Sequence, residues 1–112
     1  MSNIARVVGQ RIRNYRTAKG LSQEKLAELS GCHPTYIGQI ERGEKNATLE
    51  SIGKISFALR VSLSTLFEKL EDAEDGARGI PLQCYELLSA KPKHEQDRLY
   101  RILQEIEQYK QN

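Results

Sequence analysis

Residues 23–43 read QEKLAELSGCHPTYIGQIERG. The spacing predicts two short helices joined by a tight turn. The first runs from Gln23 to Ser30, with Ser22 before it as an N-cap whose side chain can accept a bond from a free N–H of the first turn. Gly31-Cys32 is the turn, and Gly31 supplies a positive φ without the strain a side chain would bring. The second helix starts behind His33-Pro34 and ends at Gly43. Pro34 falls at the first helical position, where its missing N–H costs nothing, and His33 takes the N-cap position. Leu26, Ala27, Leu29, Ile37 and Ile40 can lock the pair together. The outward face of the second helix carries Thr35, Gly38, Gln39 and Arg42, a small, polar and basic surface that suits insertion into a DNA major groove.

Helical patterns continue on both sides. Ile4, Val8, Ile12 and Tyr15 lie on one stripe of a helix predicted over 4–19, closed by Gly20. Thr48 caps a fourth helix with Leu49, Ile52, Ile55 and Leu59 facing inward. Ser62 caps a fifth that carries Leu63, Leu66 and Phe67. Residues 71–80, beginning EDAEDGARG, are charged and poor in large apolar side chains, and read as a linker. Two more helices follow within 81–112. One runs from Pro81 to about Ala90 and offers Leu82, Cys84, Leu87 and Leu88. The other runs from Lys93 to Lys110 with Leu99, Ile102, Leu103, Ile106 and Tyr109 at spacings of three and four. Two helices cannot hide both stripes alone, so Leu82, Leu87, Leu88, Leu99, Ile102, Leu103 and Ile106 are expected at a seam between two copies. No period-two alternation or hairpin signal appears, and the fold class is all-α.

Composition narrows the partners. The chain has 112 residues, 38% hydrophobic and 29% charged, enough for a small globular domain with an appendage. Residues 1–70 hold 11 Lys/Arg against 6 Asp/Glu, while residues 71–112 hold 6 against 9. A basic front half fits a polyanion; the acidic tail does not. Arg11, Arg13, Lys19, Lys25 and Lys45 can supply that charge. Cys32 and Cys84 are far apart, with no C-x-x-C and no His at ligand spacing, so no metal or cofactor is expected. Apolar neighbours predict buried free thiols, as in a reducing cytoplasm. The N-terminus MSNIARVVGQRI is charged too early for a signal peptide, and no apolar run approaches the roughly 20 residues of a membrane helix. An enzyme is not expected: there is no Gly-rich phosphate loop, no H-E-x-x-H and no nucleophile with a base. The scattered tyrosines Tyr85, Tyr100 and Tyr109 read as packing residues, and Tyr36 as one that also reaches a phosphate.

The elements GQRIRNYRTAKGLSQEKLAELSG and YIGQIERGEKNATLESIGKISFALRVSLSTLF together resemble the Cro/C1-type (XRE) helix-turn-helix family over residues 8–67. The layout, a domain over 1–70, a linker over 71–80 and a helical tail over 81–112, resembles the SinR-type regulators of biofilm and sporulation genes. The resemblance implies a five-helix, lambda-repressor-like DNA-binding domain with a two-helix dimerisation tail. It implies a regulator, a repressor in the main reading, that binds an inverted-repeat operator as a homodimer, and an antagonist protein that captures the tail. By position it implies that Gln23 clamps a phosphate or base edge, that Thr35 and Gln39 touch bases, that Arg42 lies near the DNA backbone, and that Lys45 and Asn46 meet phosphates. It also implies an internal salt bridge between Arg16 and Glu41. His33, Pro34 and Gly38 depart from the family pattern: Pro34 loses a polar contact, and Gly38 either lets the helix approach the bases or packs against a neighbour. Other readings with the same domain are an antitoxin, a restriction-modification controller, or a protein-interaction module regulated through its tail.

Overall fold

The computed structural model describes residues 3–70 and 80–111. Among these residues every regular element is helical: α1 (Asn3–Ala18), α2 (Gln23–Ser30), α3 (Pro34–Glu41), α4 (Leu49–Leu59), α5 (Leu63–Phe67), α6 (Ile80–Ser89) and α7 (Lys93–Gln111). The expected linker, apart from residue 80, lies outside the described residues.

The helix starts follow from local chemistry. Ser22, Thr48 and Ser62 each sit in extended backbone, and each hydroxyl accepts from the N–H three residues on: Lys25 at 3.0 Å, Ser51 at 3.0 Å and Thr65 at 3.1 Å. His33 does the same with an imidazole. Its Nδ1 accepts from the Thr35 N–H at 3.1 Å, and Pro34 needs no acceptor. Gly31 ends α2 in the left-handed region, at φ 71°, and its N–H bonds back to the Ala27 carbonyl.

The core joins α1 through α5. Val8 and Ile12 of α1, Leu26 and Ala27 of α2, Ile37 and Ile40 of α3, Ile52, Ile55 and Leu59 of α4 and Leu66 of α5 form one buried cluster. Helices α1 and α3 touch at Gly9, where an added Cβ would collide with the Ile40 carbonyl oxygen.

Three expected core residues are exposed. Leu29 is 50% accessible, Leu49 80% and Leu63 43%. At 3.6 residues per turn, Leu29 falls outside the arc that Leu26, Ala27 and Ser30 bury. Leu49 and Leu63 are the first residues of α4 and α5, ahead of the turn that closes over the core. Leu49 instead lines a groove of about 450 Å3 with Ile4, Val8 and Phe67.

Helix α6 packs on the domain. Leu82 is buried against Val7 of α1, flanked by Leu70 and Tyr85. This corrects Leu82 as a seam residue: it is 5% accessible and already spent inside its own chain. Cys84, expected in a buried setting, is exposed, and Cys32 is half-buried. Helix α7 has 19 residues, so it is roughly 28 Å long at 1.5 Å per residue. The Nε2 of Gln96 ties its first turn to α6 by donating to the carbonyls of Leu88 and Lys91, each at 2.9 Å.

Candidate nucleic-acid interface

Helix α3 is held from behind by its apolar residues and by one carboxylate. Glu41, 5% accessible, accepts from Arg16 Nε at 2.6 Å and Nη2 at 3.0 Å. Arg16 Nη1 also donates to the Leu21 carbonyl at 2.8 Å. The bidentate fork fixes both distance and plane. The implied Arg16–Glu41 bridge therefore forms, and it joins α1 to α3. Gln23 adds α2: its Nε2 donates to Glu41 Oε1 at 3.1 Å. One buried carboxylate thus ties three helices behind the outward face.

Gly38 lies beneath that face and is buried. A Cβ there would stand 3.1 Å from Arg42 Nη1 and 3.5 Å from Gln23 Oε1. Its missing side chain leaves room for the heads of Gln23 and Arg42.

The remaining site residues surround this point. Thr35 and His33 are exposed, and Pro34, Tyr36 and Gln39 are half-buried. Tyr36 packs against the core cluster. Arg42 is exposed and forms a fork with Glu44, at 2.7 Å and 3.2 Å, a partner the sequence reading missed. The hydrogen bond from Arg42 holds the Glu44 carboxyl below the usual carboxylate range. Lys45 and Asn46 follow in the exposed loop before α4. The N-cap geometry of α2 and α4 presents the free N–H groups of each first turn toward solvent, where anionic oxygens can meet them.

Arg11 is a correction. It is 1% accessible and cannot lend charge to an outside polyanion. Its Nε donates to both Glu86 oxygens, at 2.9 Å and 3.1 Å, and its Nη1 to the Leu66 carbonyl at 2.7 Å. Arg13, Lys19, Lys25 and Lys45 do reach solvent. Arg11 stands four residues after Val7 and Glu86 four after Leu82, on the same helix faces, but nothing in that spacing pairs the two charges.

The far end of the chain has the opposite character. Along α7, Ile102 is 43% accessible, Leu103 52%, Ile106 53%, Tyr100 60% and Tyr109 84%. On α6, Leu87 is exposed and Leu88 half-buried, and Leu99 of α7 is half-buried. The expectation that Tyr100 and Tyr109 pack is not met within the single chain. No described helix is long and apolar enough to cross a membrane.

Comparison with known proteins places this arrangement. The helix-turn-helix family model matches residues 12–66. The control protein C.SmaI of Serratia marcescens is 42% identical over 67 residues, covering 60% of this chain and 80% of that protein. The restriction-modification controller protein C.Esp1396I, solved as a tetramer in complex with its natural 35 base-pair operator, is 36% identical with a TM-score of 0.59, covering 66% of this chain and 97% of that one. SinR in a SinR–SinI complex is 28% identical with a TM-score of 0.54, and there the match takes in 93% of this chain and 97% of that one. With the helix pair, its capped starts and its latched second helix in place, the chain belongs to the Cro/C1-type helix-turn-helix family of DNA-binding transcriptional regulators.

Proposed function

We propose that two copies of this chain associate through α7 and bind an inverted-repeat operator, each placing α3 in a major groove, and that the bound dimer represses by blocking promoter access. The observation that carries this reading is the latch behind α3. Arg16, Gln23 and Glu41 hold the helix while leaving Thr35 and Gln39 outward. Gln39 has the donor and acceptor to grip one adenine edge, and Thr35 offers a hydroxyl and a methyl. Gln23, Arg42, Lys45 and Asn46 surround them as phosphate contacts, with His33, Pro34 and Tyr36 at the helix start. Glu44 releases Arg42 when a phosphate replaces it. No catalytic role is assigned to any residue, and the regulator acts in the cytoplasm, where its DNA lies.

The tail supports pairing. An apolar stripe on a helix this long needs a cover, and a second α7 provides a matching one. Pairing sets two copies of α3 about one DNA turn, ~34 Å, apart. SinR, which matches nearly the whole chain, is solved in complex with another protein. By analogy, an antagonist chain can cover the same stripe and split the dimer. The restriction-modification controllers supply a second reading with the same DNA chemistry. In that reading the domain alone assembles on DNA, because C.Esp1396I is a tetramer on its operator and is 97% covered by two thirds of this chain. The exposed Leu29 and Phe57 would then form the contact.

Selection of bound sequences from random duplexes tests the DNA reading. Two half-sites in inverted repeat are expected, with affinity falling steeply as salt rises. No enrichment, or a flat salt titration, overturns it. Ile102→Asp tests the seam: light scattering should show a monomer that binds the operator weakly. A fully dimeric variant would move the contact to the domain face.

A further inference from the structure

Beside the apolar Leu82–Val7 contact, α6 is joined to the domain by a buried ion pair. Arg11 and Glu86 are 75 residues apart in sequence, and both are nearly inaccessible. Burying two charges carries a desolvation cost that a well-packed apolar pair avoids. What this pair adds is direction, because Arg11 Nε is shared between both Glu86 oxygens while its Nη1 is held by the Leu66 carbonyl, so the guanidinium is fixed from two sides. The surrounding contacts share that register. Asn14 Nδ2 donates to the Glu86 carbonyl at 3.3 Å. The Tyr85 hydroxyl donates to Glu68, and the Arg11 guanidinium lies 5.6 Å from the centre of the Tyr85 ring.

These bonds complete a continuous chain of fixed joints. Glu41 ties α3 to α1 through Arg16. Arg11, five residues earlier on α1, ties α1 to α6 through Glu86. Gln96 ties α6 to α7. The helix that reads DNA and the helix that presents the apolar stripe are therefore held at one mutual angle.

We propose that Arg11, Glu86 and Gln96 are specificity-determining positioning residues: they set the half-site spacing that the dimer accepts. This rests on the reading that α7 is the seam. Each added base pair moves one half-site by about 3.4 Å and rotates it by about 35°. Two heads fixed at one angle meet both half-sites at a single spacing. Heads that remain tethered but undocked from α6 re-orient and meet several.

The test uses the full-length chain and operator duplexes whose half-sites are set apart by zero, one, two or ten additional base pairs. Wild type should lose on the order of tenfold or more at one or two additional pairs. Glu86→Ala should keep the dimeric mass in light scattering, bind the native spacing less well, and flatten the spacing profile to within about threefold. The double variant Arg11→Met/Glu86→Leu restores a packed joint without charges and should recover the wild-type profile. If Glu86→Ala does not fold, Gln96→Ala carries the test, since it removes only the side-chain bonds to Leu88 of α6 and to Lys91 in the connection between the helices, and should broaden the profile. A dimeric Glu86→Ala, or in its place Gln96→Ala, with the wild-type spacing profile overturns this inference and leaves the dimer reading standing. A monomeric wild type overturns both.

Discussion

Helices α3 and α7 each carry one face that the other described residues leave uncovered, and the two faces have opposite chemistry. Behind α3 stand Ile37 at 0% accessibility, Ile40 at 3% and the clamped Glu41, while its open side is polar. Helix α7 has no comparable backing. Its apolar residues Ile102, Leu103 and Ile106 are the ones that face solvent. A rigid polar face fits a hydrated polyanion that must be read in register. An apolar face is uncovered only until another protein surface meets it. The same periodicity of three and four thus produces a closed core in one place and an open apolar stripe in the other, depending on whether another described helix packs against it.

Breaking the latch behind α3 should have the largest effect. Glu41→Ala leaves Arg16, nearly buried, without its carboxylate, and should cost about 3–5 kcal/mol in urea denaturation. Core and seam should then separate cleanly. Ile55→Ala, at a fully buried position, should cost about 2–5 kcal/mol at any protein concentration. Ile106→Ala should change dilute-chain stability by less than about 0.5 kcal/mol and weaken only the concentration-dependent part. Equal losses for the two would erase the distinction between them.

On the open side of α3, Gln39→Ala should cost about 1–3 kcal/mol of binding and relax preference at one base position. Unchanged selectivity in a competition assay would remove Gln39 from the reading surface. The smallest effect concerns the joint beside α6. Burial, and then its hydrogen bond to Glu68, push the Tyr85 phenol up to about 12. A phenol raised in the folded state contributes stability that is fully present below pH 10 and is lost as pH climbs from 10 toward 12. Ultraviolet titration should show a phenol ionising near pH 12, and Tyr85→Phe should remove that component.

Much of the domain was legible because its signals are local. Ser22, His33, Thr48 and Ser62 cap helices through bonds spanning two or three residues, and Gly31 turns the chain through its own φ. The stripes of α1, α4 and α5 followed from period alone, apart from the starts of α4 and α5, where Leu49 and Leu63 precede the turn that would have covered them. At the site, the outward placement of Thr35, Gln39 and Arg42 was readable from helix register, while Lys45 and Asn46, in the loop before α4, came from the family resemblance. The Gln23–Glu41 bond and the burial of Gly38 were not, because each depends on how side chains from two segments converge, and the Arg42–Glu44 fork, though local, depends on the turn that ends α3.

By itself, then, the sequence determined the helices, their caps, the turn, and the charge contrast between the two halves, all of which arise from residues within a few positions of one another. Only the tertiary structure decided that Arg11 lies inside and not on a basic surface, that Leu82 is spent on Val7, and that α6 is docked to the domain. Those outcomes bring together groups more than seventy residues apart. A buried charge is tolerated only where a distant partner arrives at the right angle, and no local pattern records that arrival.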